Sequence, residues 1–268
     1  MKRENHTAAS TSAMPAFLKK LLCASAVAAL GAFAPAHATV LTFENVQNVV
    51  SSTLRASDTV YNTGDRFMDQ HFLLQVKNSP TADADDYGLV GAQIRSNNAF
   101  ACTITACPSG GTGSYYAGLN DGALTLTSTL ANNLFQLRGL SFAFIAPTPG
   151  QPDFSFGRLL LSGITSAGAA IIDSRDFPGQ DAGGNFTFAS FGVDSAFSSS
   201  VLRSLTINAC LYDEFGDCQV ARDVTQNQAQ FAVDNITLAE VPEPASIGLM
   251  LLGVVGLSAA RRRRAGSK

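Results

Sequence analysis

The sequence predicts an all-β domain, a jelly-roll-like antiparallel β-sandwich, set between an N-terminal signal helix and a C-terminal short transmembrane helix. Three observations carry this. Apolar residues in the middle of the chain alternate with small or polar ones at period 2, as in half-buried strands. Punctuation rich in Gly, Pro and Ser separates those runs, as at Thr148-Pro149-Gly150, Pro178-Gly179 and Gly183-Gly184. No convincing long amphipathic helix interrupts them, and many short strands with such loops stack as two antiparallel sheets.

Residues 1–38 read as a secretory signal. Lys19 and Lys20 supply positive charge, Leu21 to Ala34 is an uncharged apolar run, and Ala36-His37-Ala38 is a small-x-small cleavage site. Cleavage after Ala38 starts the mature chain at Thr39. Met14 opens a complete signal by itself and is a second candidate start. Cys23 does not read as a lipoprotein site, because Leu22 precedes it where a small residue is needed.

The domain, residues 39–240, offers ten candidate strands. They are Val40–Glu44, Phe67–Val76, Leu89–Ile94, Ala123–Ser128, Leu134–Ile145, Phe154–Ile164, Ala169–Asp173, Asn185–Phe191, Val201–Asn208 and Gln230–Leu238. Leu140, Phe142 and Phe144 alternate with Ser141 and Ala143. Val233 breaks the polar phase of the last run, which predicts a strand buried on both faces. Trp is absent, so most of the 18 phenylalanines are expected in the core.

Charge excludes one class of partner. The chain as a whole carries −3, but half of its 18 basic residues sit at the two ends. Residues 39–240 keep 9 basic against 19 acidic residues, a net charge of −10. Such a domain repels a phosphate backbone, so nucleic acid is not an expected partner.

The tail, residues 241–268, has three parts. Val241-Pro242-Glu243-Pro244-Ala245 is held extended by its prolines. The apolar run Ile247 to Ala260 follows, a little short of the ~20 residues of a comfortable spanning helix. Arg261-Arg262-Arg263-Arg264 then forms a stop-transfer block that stays cytoplasmic. This order at the extreme C-terminus resembles the PEP-CTERM sorting signal of Gram-negative bacteria that make exopolysaccharide. The resemblance implies an exosortase as partner, transient anchoring in the membrane, cleavage near Pro242-Glu243-Pro244, and delivery to the surface or extracellular matrix. The rival reading is a plain C-terminal membrane anchor without processing. Gln230-Phe231-Ala232-Val233-Asp234 further resembles the QFxxD subgroup of that family. The first and last strands, Leu41-Thr42-Phe43-Glu44 and Phe231 to Leu238, look like the edges of carbohydrate-binding jelly rolls, in which those strands often pair.

The exported chain keeps Cys102, Cys107, Cys210 and Cys218. An even number in an oxidising compartment predicts two disulfides, with three pairings open and the sequence-local one the simplest. Metal binding by these cysteines lacks CxxC spacing and accompanying histidines.

Little in the domain points to chemistry. His71 is its one histidine and lies near no nucleophile motif. The glutamates Glu44, Glu214 and Glu240 fall in no recognisable motif. Calcium is the best cofactor candidate, since it takes oxygen ligands. Asp83-Ala84-Asp85-Asp86 is one cluster; Glu44 with Asp234 and Asn235 is another, if the first and last strands are neighbours. The latter place resembles that of a structural calcium in carbohydrate-binding jelly rolls. Sugar rings stack on aromatic platforms, and Tyr115-Tyr116, in the glycine-flanked stretch Gly111 to Gly118, is the candidate. The expectation is a non-enzymatic exported protein, structural or adhesive, in contact with exopolysaccharide. A secreted polysaccharide hydrolase is the alternative.

Overall fold

Sixteen short strands and one turn of helix build the domain in the computed structural model. It describes residues 38–50, 53–54, 58–78, 89–95, 102, 105–111, 113–130, 132–219 and 229–241. The signal segment up to His37, the Asp83-Asp85-Asp86 cluster, the Pro242-Glu243-Pro244 motif, the apolar run and the Arg261–Arg264 block lie outside the described residues. Among the described residues no helix is long and apolar enough to cross a membrane.

The strands are β1 Ala38–Leu41, β2 Gln47–Val50, β3 Thr53–Leu54, β4 Asp58–Asn62, β5 Arg66–Asp69, β6 Phe72–Lys77, β7 Leu89–Ile94 and β8 Tyr115–Gly118. They continue as β9 Ala123–Ser128, β10 Phe135–Phe144, β11 Gly157–Thr165, β12 Ala170–Asp176, β13 Ala189–Gly192, β14 Leu202–Tyr212, β15 Cys218–Gln219 and β16 Phe231–Glu240. A helix, α1 at Ser195–Ser199, is capped by Asp194, whose carboxylate accepts the Phe197 N–H.

All the named strands pair antiparallel and form one sheet that curls on itself. One stretch runs β2-β5-β6-β9-β14, with β11 and β12 continuing from β14. The other runs β10-β16-β8-β7-β4-β3, with β13 on the free edge of β10. The two stretches join through the pair Phe135 and Leu202. Apolar residues of both, such as Leu126, Leu161 and Ile207 from one and Phe142, Phe231 and Val233 from the other, meet in one buried core. A second cluster, with Ile94, Tyr115, Ala117, Ile145 and Ala232, lies on the opposite face of the β7-β8-β16-β10 stretch.

β16 is therefore buried on both sides, as its interrupted polar phase predicted. It pairs with β10 along most of its length, with β8 at Phe231–Val233, and with β1 from Ile236 to Ala239. The first and last strands are neighbours, with Val40 opposite Thr237. The stretch Phe67–Val76 proves to be two strands. Gln70 takes φ 54° and turns the chain at Gln70-His71, so that Asp69 pairs with Phe72.

Candidate functional site

The polar side chains the sequence singled out gather where β1 ends against β16. Beyond Leu41 the chain passes through Phe43 in the left-handed region, φ 57°, a conformation uncommon for a bulky residue. Two buried side chains hold that backbone. Asp69, 3% exposed, accepts the Phe43 N–H on Oδ2 at 2.9 Å, and Gln93 of β7 donates from Nε2 to the Phe43 carbonyl at 2.5 Å. Glu44 follows at the surface. Its Oε1 accepts the Ser114 N–H at 2.5 Å and its Oε2 the Ser114 hydroxyl at 3.2 Å. Gly113 must be glycine here: its φ is +84°, and a Cβ would overlap Glu44 Oε1.

Asp234 of β16, 3% exposed, completes the group. Its carboxylate accepts the Asn235 N–H at 2.7 Å and the Asn235 side-chain amide at 2.9 Å. Burial pushes the Asp234 carboxyl up to about 6, the negative charges of Glu44 and Asp69 add to the rise, and the Asn235 N–H opposes it. Burial also raises Asp69, against the N–H groups of Phe43, Thr42 and Gln70.

Glu44 and Asp234 thus come together as the sequence suggested, with Asp69 as a third member that sequence reasoning missed. Its signal was hidden in a run taken for one strand; recognising the turn at Gln70 would have exposed it. The set does not fit calcium well as it stands. A calcium ion takes 6–8 oxygens, whereas these carboxylates are already occupied by N–H and hydroxyl donors. Among the described residues no group of three or more His, Cys, Asp or Glu is placed to hold a metal ion. Nor do they form an open pair, since Glu44 faces solvent while Asp69 and Asp234 are buried.

The aromatic platform is corrected by the structure. Tyr115 and Tyr116 are on β8, between β16 and β7, and are 3% and 0% exposed. Tyr116 packs in the main core near Phe43, Phe67 and Phe231. Tyr115 belongs to the second cluster and meets Phe188 edge-on at 5.4 Å. A strand covered on both faces leaves neither ring a face for a sugar. His71 lies exposed at the β5–β6 turn.

Both sequence-local disulfides are present, Cys102–Cys107 and Cys210–Cys218. The second closes the β14–β15 hairpin, whose tip is ordered by Asp213. The carboxylate of Asp213 accepts the N–H groups of Phe215 and Asp217, each at 2.9 Å. Replacing both Cys210 and Cys218 by Ser is expected to lower unfolding stability by about 2–3 kcal/mol, read by urea denaturation without reductant. A loss under ~0.5 kcal/mol would show that the turn bonds alone hold the hairpin.

The chain leaves the sandwich at the end of β16. Thr39 Oγ1 donates to Glu240 Oε1 at 3.0 Å, the Val241 N–H donates to the Leu134 carbonyl at 3.3 Å, and Asn132 Nδ2 donates to the Val241 carbonyl. The sandwich therefore holds the backbone up to the residue before Pro242. A family model described as the PEP-CTERM protein-sorting motif matches residues 240–264.

The chain carries a PEP-CTERM sorting signal. The PEP-CTERM match begins on the last residue of β16, so signal and sandwich adjoin in sequence without a linker. No curated protein matches the chain. Among solved structures, TmCBM61 in complex with β-1,4-galactotriose is 8% identical over 62% of this chain and 86% of its own, with a TM-score of 0.31. A family 29 carbohydrate-binding module, CBM29-2, is 10% identical over 77% and 86%, TM-score 0.30. The CBM22-1 xylan-binding domain of Xyn10C from Paenibacillus barcinonensis is 10% identical over 78% and 99%, TM-score 0.30. Likenesses this low transfer no ligand, site or role to the PEP-CTERM protein.

Proposed function

We propose that this chain is an exported surface protein of a Gram-negative bacterium, anchored briefly by its C-terminal apolar run and cut by an exosortase near Pro242-Glu243-Pro244. The released sandwich then serves a non-enzymatic, structural or adhesive role at the surface or in the exopolysaccharide matrix. The observation that carries this is the PEP-CTERM motif at residues 240–264, directly after the last strand. The strand pairs of the described sandwich all lie on the N-terminal side of Pro242, so a cut there leaves the ladder whole. The cluster of Glu44, Asp69 and Asp234 is not laid out as a glycosidase pair, which flanks a substrate in an open cleft, since Asp69 and Asp234 are buried.

The test compares a host that has an exosortase with the same host lacking it, reading the mature C-terminus by intact mass and the cell fraction that holds the protein. The expected result is loss of the tail beyond Pro242-Glu243-Pro244 only when exosortase is present. A C-terminus at Lys268 in both strains would overturn the proposal and leave a plain anchored protein.

A further inference from the structure

Three loops meet and border a recess of about 380 Å³, within the ~300–1,000 Å³ range of small-molecule sites. One loop is closed by the Cys102–Cys107 disulfide and tied to the second by the Ala106 N–H, which donates to the Ala146 carbonyl at 2.9 Å. The second carries Thr148 and Gln151, joined by a bond from Gln151 Nε2 to Thr148 Oγ1 at 2.8 Å. Gln180 ties the third loop to the second, donating from Nε2 to the Gln151 carbonyl at 2.8 Å. The third loop turns on Asp181, whose Oδ1 accepts the N–H groups of Gly183 and Asn185 at 2.8 and 3.0 Å.

The lining is unusual for so acidic a domain. Thr148, Gln151, Gln180 and Asn185 present hydroxyl and amide groups, Phe186 and the disulfide present apolar surface, and none of the residues lining the recess is ionisable in this state. Of the nearest acids on these loops, Asp153 accepts the Gln180 N–H on Oδ1, and Asp181 is met by backbone N–H groups, the Ser109 hydroxyl and the Asn185 side chain. Amides and hydroxyls donate and accept equally well, whereas an ionic ligand entering an uncharged recess loses hydration with no countercharge to replace it. The surrounding negative charge adds a penalty for anions. We propose that this recess binds a neutral saccharide, a polyhydroxyl ligand free of carboxylate, phosphate and sulfate.

The inference deepens the matrix reading by naming a ligand class, and the two fail separately: processing is read by mass, binding by calorimetry. The full-length chain in mild detergent is titrated with cellohexaose, xylohexaose and mannohexaose, and with hexagalacturonate as the anionic comparison. At least one neutral hexaose is expected to bind with Kd between about 10 μM and 1 mM, and hexagalacturonate not at all. Asn185→Ala and Gln151→Glu should each weaken binding about 5–10-fold, the scale of one lost hydrogen bond. The melting temperature should fall by no more than a few degrees, since the bonds they give up, Asn185 to Asp181 and Gln151 to Thr148, are exposed. Gln151→Glu keeps the shape and exchanges the amide donor for a charge, and the Thr148 hydroxyl can turn to donate to the new carboxylate, so it separates the neutral-ligand argument from a packing effect. Failure of all three neutral hexaoses to bind, equal binding of hexagalacturonate, or binding that survives both substitutions overturns the proposal.

Discussion

Replacing Phe144 by Ala is expected to destabilise the sandwich by about 3–5 kcal/mol, a large share of the ~5–15 kcal/mol that holds a typical domain together. Phe144 is 2% exposed near the end of β10 and touches three other rings. It stacks on Phe156 at 5.2 Å, meets Phe186 edge-on at 5.0 Å, and lies 5.3 Å from Phe177. Truncation opens a cavity and removes ring pairs worth about 0.5–1.5 kcal/mol each beyond their buried area. Phe144→Leu, which keeps much of the volume, should cost roughly 1–2 kcal/mol. Phe154 provides the contrast: its ring lies 3.9 Å from that of Phe156 but is 52% exposed, so Phe154→Ala should cost under ~1 kcal/mol. Urea denaturation under oxidising conditions measures all three. Equal losses at Phe144 and Phe154 would show that the ring cluster is not part of the core.

The second large effect is acid stabilisation. Asp234 has its carboxyl pushed up to about 6 from an ordinary 3.8, so the folded state holds a proton that the unfolded chain has released between those values. Stability from this group is full below about pH 4 and is lost as pH rises through 6, for a total of about 2–3 kcal/mol. Burial raises Asp69 and Asp121 as well, and both act in the same direction. Asp234→Asn should therefore add about 2–3 kcal/mol at pH 7.5 and almost nothing at pH 4. The Asn235 side-chain amide has only to flip to face the new amide. Urea titrations from pH 4 to 7.5 decide it. An equal gain from Asp234→Asn at both ends of the range would refute the argument; the wild-type curve also carries Asp181, whose lowered carboxyl acts in the opposite direction. A melting temperature raised by calcium at pH 7.5 in the wild type but not in Asp234→Asn would instead mean that Glu44, Asp69 and Asp234 rearrange around a cation.

The legible parts of this fold were those where periodicity and punctuation agreed. β7 and β9 match the sequence reading residue for residue, and β10, β14 and β16 differ from it only at their ends. β8 hides in the stretch Gly111 to Gly118, whose glycines suggest a loop, yet Gly118 is the last residue of the strand and admits a close neighbour. A Cβ at Gly118 would strike the Phe231 ring. Once β8 is a central strand, Tyr115 and Tyr116 become core residues, and the sugar platform disappears for the same reason. The short strands β2, β3 and β15 escaped because two to four residues show no period. Glu44 and Asp234 were found through the expected pairing of first and last strands. The loop recess could not be, since its three walls come from segments far apart in sequence whose meeting is tertiary.

The pairing of β1 with β16 also governs when the domain can exist at all. Thr39 and Glu240 bond across 201 residues, and β16 alone contacts β1, β8 and β10. Ladders that close such long loops form late and slowly. A chain passing through a secretion pore in order therefore lacks its central strand until almost all of it has crossed, and it has no complete sandwich to jam the pore. The strand that finishes the fold is followed at once by the sorting signal. The signal therefore leaves the pore directly behind the segment with which the protein first becomes able to fold.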